Sequence, residues 1–534
     1  MKKKIYLNSS LPKESKGDDC NREDLDTNCG FGHFTPKWLH SWATPRMYLV
    51  LLSIAGVASE IFHAYQVGVM STLEKRFAFE SKIAGTIMAV NEATALLFGV
   101  LVGYYGAITF LLRYFGPLLG YLMSSMCLNY YENPLEDPGY GPNDPRWVGA
   151  WWIGFLLEGF LFLLVTIPII MFPRNLPGFK MPVDNPGTDT RTKFSGMFKS
   201  VKRILFNQLW WAVMLNIVFV NYWAVGHRVM LPKYMEHQFR LTTSDASLYS
   251  GVPRVGAIIV AITLSGYFIW RFRPSLKFLI GMKILTEIIG ACGYMVLMIP
   301  KCEKFDMANF GMNNEGLILD GNCNMNCNCS RKAFTPVCGS DRKTLYFSPC
   351  YAGCDQSLNK TFFSNCSCIS ESSDLTFNYA TEGFCISESC WLQALAYIIT
   401  WPTMQFIVSL SLILQKLMLI RCIQPQDKSI ALGISETVMS LLGYVPNLII
   451  FGVLVDSACL VWQSSCGETG SCWFYDTDKF SKIIHGVSAG FSFVALIPTC
   501  LIFLMRERFC DFYEDDLTSQ TRSLSHPRST SFSW

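Results

Sequence analysis

Apolar residues gather into ten runs of about twenty or more, near 47–70, 83–104, 107–128, 147–172, 207–231, 250–270, 277–299, 391–420, 430–455 and 482–504. A run of about 20 apolar residues crosses a hydrocarbon core of about 30 Å as a helix, the form in which one segment satisfies its own backbone hydrogen bonds. The pattern predicts an all-α polytopic membrane protein. Its parts are an N-terminal segment (1–46), an N-terminal membrane half of four helices (47–172) and a central loop (173–206). A C-terminal membrane half follows in two pieces (207–299 and 391–505), separated by a polar insert (300–390), and a tail (506–534) closes the chain.

Lys and Arg collect in alternate loops, as they do on the cytoplasmic side of membrane proteins. Arg174, Lys180, Arg191, Lys193, Lys199, Lys202 and Arg203 crowd the central loop. Arg271, Arg273 and Lys277 fill a short turn; Arg421 and Lys428 sit in another, and Arg506 and Arg508 follow the last run. With ten spans this bias places both termini in the cytoplasm and the insert outside.

Composition agrees. Of 534 residues 51% are hydrophobic and only 16% charged, fewer than the roughly 25% that covers a soluble surface. A net charge of +3 argues neither for nucleic acid nor for an acidic tail. Eleven of the 21 cysteines fall between Cys302 and Cys390, a density that marks a disulfide scaffold in an oxidising compartment. Metal is the weaker reading: Cys327-Asn328-Cys329 and Cys366-Ser367-Cys368 are too closely spaced for a zinc knuckle. Sequons at Asn328, Asn359 and Asn365 lie in the same insert as glycosylation candidates, while one at Asn8 falls on the cytoplasmic side. The N-terminal segment has no apolar core and so does not read as a cleaved signal; the first hydrophobic helix would do the targeting. Beyond Cys510 the chain is rich in Ser, Thr and Arg and reads as a disordered tail.

The string from Asp144 to Leu156, with Arg146, Trp147, Gly149, Trp151 and Trp152, resembles the hallmark of the organic anion transporting polypeptides, membrane solute carriers. Ser71–Phe77, Leu231–Phe239, Lys428–Gly433 and Phe451–Asp456 are similar to further family segments, so the resemblance covers about 45–505. Pro336-Val337-Cys338-Gly339-Ser340-Asp341 with Cys350 and Cys354 resembles the Kazal-like module this family carries. The resemblance implies a major-facilitator-like bundle of twelve helices in two halves. Here the segment similar to the end of the family's second helix, Val102–Gly106, runs almost directly into one similar to its fifth, so the third and fourth helices are read as missing.

Family membership also implies that the cysteines of the insert pair: Cys302, Cys323, Cys327, Cys329, Cys338, Cys350, Cys354, Cys366, Cys368, Cys385 and Cys390. Eleven leave one over, and the last outer loop adds Cys459, Cys466 and Cys472. A bridge between the two loops and a free thiol both satisfy that arithmetic, and connectivity is not legible from sequence.

An ionisable residue inside a span costs about 2.5–3.5 kcal/mol on insertion scales, which makes it a functional candidate. Glu60 and His63 share a face of the first helix, and Glu92 lies midway along the second. Lys283 and Glu287 in the seventh helix are four apart and fit an internal ion pair. Arg113 and Arg254, placed near the ends of the third and sixth runs, fit either anion binding or snorkelling to the interface. His227 and Arg228 are expected at the outer end of the fifth helix, as a positive mouth or a solvated rim. Glu158 and Glu436 add negative charge and are expected to pair across helices. Ser440 stands where the family often carries a basic residue.

The resemblance implies sodium-independent transport of amphipathic organic anions (conjugated steroids, bile acids, eicosanoids, thyroid hormones) by alternating access across the plasma membrane, with bicarbonate as a possible counter-anion. No P-loop for ATP, catalytic constellation or cofactor motif is present in the sequence. The reading is of a carrier rather than an enzyme, with the lipid bilayer and organic anions as its partners. Two readings from other classes stand beside it: a truncated, transport-incompetent glycoprotein that associates with full-length relatives, and a membrane-tethered Kazal inhibitor.

Overall fold

The computed structural model describes residues 44–90, 115–172, 190–304, 307–313, 316–359, 362–369, 378–385, 388–424, 427–465 and 468–509. Among them, eight helices are long and apolar enough to cross a membrane, and two shorter apolar helices flank 91–114. In chain order the first half contains α1 (Pro45–Phe77), α2 (Ser81–Val90), α3 (Phe115–Leu128) and α4 (Trp151–Ile170). Then come α5 (Thr190–Leu205), α6 (Gln208–Phe239), α7 (Thr243–Phe272) and α8 (Leu276–Val296). After the insert follow α9 (Glu388–Ser409), α10 (Leu412–Arg421), α11 (Lys428–Val438), α12 (Val445–Asp456) and α13 (Thr477–Leu504).

Several helices outrun their apolar stretches. The side chain of Thr242 accepts from the Asp245 amide at 3.0 Å and starts α7 seven residues before the apolar run, while α6 continues to Phe239 rather than stopping near 231. The polar turns so added bury small hydroxyls: Ser244 and Ser247 of α7 meet Ser125 and Ser124 of α3 at 3.0 and 2.5 Å. A side chain at Gly251, one turn further along, would collide with the Tyr121 ring, so the two helices touch through their smallest residues.

The expected loop 173–206 contains the basic helix α5, tied to the bundle by a two-point bond from Arg203 to Asp427 at 2.7 and 2.8 Å. The run 391–420 breaks into α9 and α10, and 430–455 is interrupted by a π-helical turn, Met439–Tyr444, between α11 and α12. Such turns widen a helix locally and often adjoin functional cavities.

The insert folds as a small disulfide-bonded domain. Its antiparallel sheet runs β4-β3-β7-β6-β5, after a separate β1–β2 hairpin (Gly311–Asn313, Gly316–Ile318). The sheet strands are β3 (Val337–Gly339), β4 (Leu345–Tyr346), β5 (Cys354–Asn359), β6 (Phe362–Cys366) and β7 (Tyr379–Glu382). Bridges join Cys302–Cys390, Cys323–Cys368, Cys329–Cys350, Cys338–Cys385 and Cys354–Cys366, and Cys459–Cys472 closes the hairpin β8–β9 (Cys459–Ser465, Glu468–Tyr475). The pairing implied for every cysteine of the insert fails at Cys327, an exposed free thiol, while Cys466 lies outside the described residues. Asn328 and Asn365 are exposed, and Asn359 ends β5.

The domain is clamped to the helices. Cys302–Cys390 joins the chain after α8 to the start of α9, and Arg240 donates to the Cys385 carbonyl at 2.9 Å. The hairpin supplies Val461 and Trp473 to the domain's own core, where Trp473 stacks on Phe334 at 6.0 Å.

Candidate functional site

One cavity in the bundle gathers charges from both halves. It has a volume of about 380 Å³ and is lined by Glu60 and His63 of α1, Tyr121 of α3, Arg228 of α6, Arg254 of α7, Glu436 of α11, and Ser440 and Tyr444 of the π turn. Helical spacing explains the α1 face: Ser59, Glu60, His63, Gln66 and Val67 recur at three and four residues.

Helix lengths correct two expectations. Arg254 lies eleven residues into α7, about 16 Å from its start, and is only 8% exposed, so it does not snorkel to an interface. Arg228 likewise stands eleven residues before the end of α6, about 16 Å below it, and lines the central cavity rather than an outer mouth. His227, its neighbour in sequence, turns the other way and is fully buried against Trp401 and Tyr294, with ring centroids 4.5 and 5.0 Å away. Apolar-run edges misplaced all three because polar residues facing protein do not end a helix.

Lys283 and Glu287 are not among the cavity's lining residues. They pair at 2.9 Å, both almost fully buried, and Glu287 also accepts from Asn216 at 2.9 Å and Thr499 at 2.7 Å, tying α8 to α6 and α13. Glu92 and Arg113 lie outside the described residues. Of the two acids expected to pair across helices, Glu436 faces the cavity, whereas Glu158 is buried with neither oxygen hydrogen-bonded among the described residues.

The Trp-rich string works as a staple at the start of α4. The indole of Trp147 donates to the Leu128 carbonyl at 3.1 Å, that of Trp151 to the Glu132 carboxylate at 3.3 Å, and that of Trp152 to the Glu132 carbonyl at 2.9 Å. A side chain on Gly149 would strike Leu128. Arg146 bonds Asp144 at 2.6 and 2.9 Å and reaches Glu382 of β7 at 2.7 Å, so this string connects the membrane helices to the disulfide domain. Burial and the neighbouring Asp144 push the Glu382 carboxyl up to about 7; burial also opposes ionisation of Asp144, but hydrogen bonds from Arg146 outweigh it and hold that carboxyl below its usual range.

On the same side of the bundle as the domain, two crossed ion pairs join the halves: Lys233 of α6 with Glu74 of α1, and Lys75 of α1 with Glu236 of α6. Asp456 completes the closure by accepting from the Ser81 and Lys82 amides at 3.0 and 2.7 Å. Glu74, Lys75 and Glu236 belong to segments singled out for resemblance, but only the extended length of α1 and α6 reveals that they meet.

The model of the Organic Anion Transporter Polypeptide (OATP) family matches residues 47–109 and 107–480. The chain is 32% identical over 420 residues to solute carrier organic anion transporter family member 74D of Drosophila melanogaster, covering 76% of this chain and 50% of that protein. It is 31% identical over 398 residues to member 4C1 of Homo sapiens (70% and 55%) and 29% over 428 residues to member 1A5 of Rattus norvegicus (74% and 63%). The chain thus matches about half to two thirds of the length of these relatives. Among solved structures, a bacterial homologue of the human lysosomal transporter Spinster, inward-facing and unoccupied, aligns over 87% of this chain and 97% of its own at a TM-score of 0.47 and 10% identity.

Proposed function

Because the chain belongs to the organic anion transporter polypeptide family, we propose that it carries amphipathic organic anions across the plasma membrane through the cavity between its two halves. The observation that carries this reading is the placement of Arg228 and Arg254 in one cavity with apolar and aromatic walls, Val225, Val229, Tyr121 and Leu448 among them. A guanidinium binds a sulfate or carboxylate at two points, and apolar walls take up a steroid or acyl body, so the site fits a molecule with one anionic end. Glu60 and Glu436 line the same cavity, so the formal charges of the two acids and the two arginines cancel.

Access alternates between the two faces. The Lys233–Glu74 and Lys75–Glu236 pairs hold the domain-bearing face shut, and rocking of the halves about the small-residue contact of α3 and α7 would part them. In this reading the basic face is cytoplasmic, transport needs no sodium, and a small anion such as bicarbonate travels the opposite way. Conjugated steroids, bile acids, eicosanoids and thyroid hormones are the substrates to try.

The test is uptake of a labelled steroid sulfate by cells expressing this chain, with surface biotinylation to count delivered protein. Saturable uptake that persists when choline replaces sodium is expected. Normal surface delivery with no uptake of any of several organic anions overturns the proposal.

A further inference from the structure

Away from the cavity, an apolar groove of about 700 Å³ opens on the outer flank of the N-terminal half between α3 and α4. Its walls are aliphatic and aromatic, including Leu119, Leu122 and Met126 of α3 and Leu157, Phe160 and Leu164 of α4. Glu158 lines it as well. This carboxylate is 2% exposed, and neither oxygen has a hydrogen-bond partner among the described residues. The titratable groups beside it are the Tyr65 hydroxyl, which already donates to the Trp151 carbonyl at 2.6 Å, and the Cys127 thiol; neither brings positive charge. A buried carboxyl without a partner is costly, and a groove that holds one is made complementary by an occupant with a cation or a strong donor.

We propose that this groove binds a membrane-dissolved hydrophobic amine, its ammonium on Glu158 and its chain along the aliphatic walls. Depth selects the class. Glu158 stands seven residues into α4, about 10 Å below the Trp151 and Trp152 ring that marks the helix end. A diacyl phospholipid keeps its headgroup at the interface above that level, whereas a single-chain amine reaches it as the uncharged base, without carrying a hydrated ammonium inward, and takes the proton of the Glu158 carboxyl there. Charge excludes the anions proposed for the central cavity, so the groove is a separate site and does not depend on what that cavity carries.

The experiment uses the full chain in phosphatidylcholine nanodiscs with spin-labelled stearylamine, stearyl alcohol and stearic acid, reading the motionally restricted fraction of each by electron spin resonance. The amine is expected to associate about tenfold more strongly than the alcohol, the scale of one charge-assisted bond in a dry site. Glu158→Gln, nearly the same size, should reduce that preference to parity. Leu157→Trp, which keeps the carboxylate and fills the groove from a half-exposed position, should lower amine binding too. Equal association of all three probes with the natural chain means a boundary-lipid surface only and overturns the proposal, as does an amine preference that survives Glu158→Gln.

Discussion

Two groups of charges sit inside the bundle, and they are built differently. Around Glu287 the partners are protein groups: Lys283, Asn216 and Thr499, all buried, surround one carboxylate at 2.9, 2.9 and 2.7 Å. Around Arg228 and Arg254 the charges line a cavity, contributed by helices of both halves and by a π turn. The first arrangement fixes three helices of the C-terminal half in one geometry. The second leaves room for a ligand and draws its residues from both halves. An intramembrane charge is therefore a functional candidate only when its partners leave something for a substrate to do.

The largest effect should come from breaking the closed group. Glu287→Leu leaves Lys283 buried without a counter-charge and is expected to cost about 3–5 kcal/mol, read as loss of a monodisperse peak and of surface delivery. The double variant Lys283→Leu with Glu287→Leu should recover most of that loss and retain uptake per surface molecule. If the double variant is delivered but transport-dead, the pair belongs to the transport machinery and the contrast fails.

A smaller change sharpens the open group. Ser440→Lys places a cation in the cavity, and the anion KM should fall about three- to tenfold with little change in stability. An unchanged KM would mean that the anion does not approach the π turn.

The smallest effect concerns the link between the helices and the disulfide domain. The Glu382 carboxyl is raised from 4.5 to about 7, so between those values the folded protein holds a proton that the unfolded chain releases. Stability from this group is thus present at the acid end and lost as pH rises toward 7, whereas that of Asp144, whose carboxyl is depressed, is lost only on acidification below about 3.8. The melting temperature at pH 5 minus that at pH 8 should shrink in Glu382→Gln, and an unchanged difference would remove Glu382 from the account.

Apolar runs made the spans legible, since nothing but length and hydropathy is needed to cross hydrocarbon, and the cysteine density marked the domain. The depth of the charges was not legible. Ser244 and Ser247 look like a loop before α7 but are buried on its first turns, which is why Arg254 moved from an interface to the centre. Disulfide partners depend on how the sheet closes, and the exception at Cys327 has no sequence signature. Helix α5 was hidden because its basic, weakly apolar stretch reads as a loop until Arg203 finds Asp427. That Glu158 has no hydrogen-bond partner among the described residues is a matter of what lies around it in space, not of its neighbours along the chain.

The most direct test is Arg254→Ala, measured as saturable uptake of a steroid sulfate per biotinylated surface molecule alongside the natural chain. If the cavity binds the anion, delivery stays near normal and uptake falls at least about tenfold, the loss of one charge-assisted contact in a dry site. Uptake with unchanged KM and rate in Arg254→Ala would contradict the claim that the anion passes between the two halves at this point.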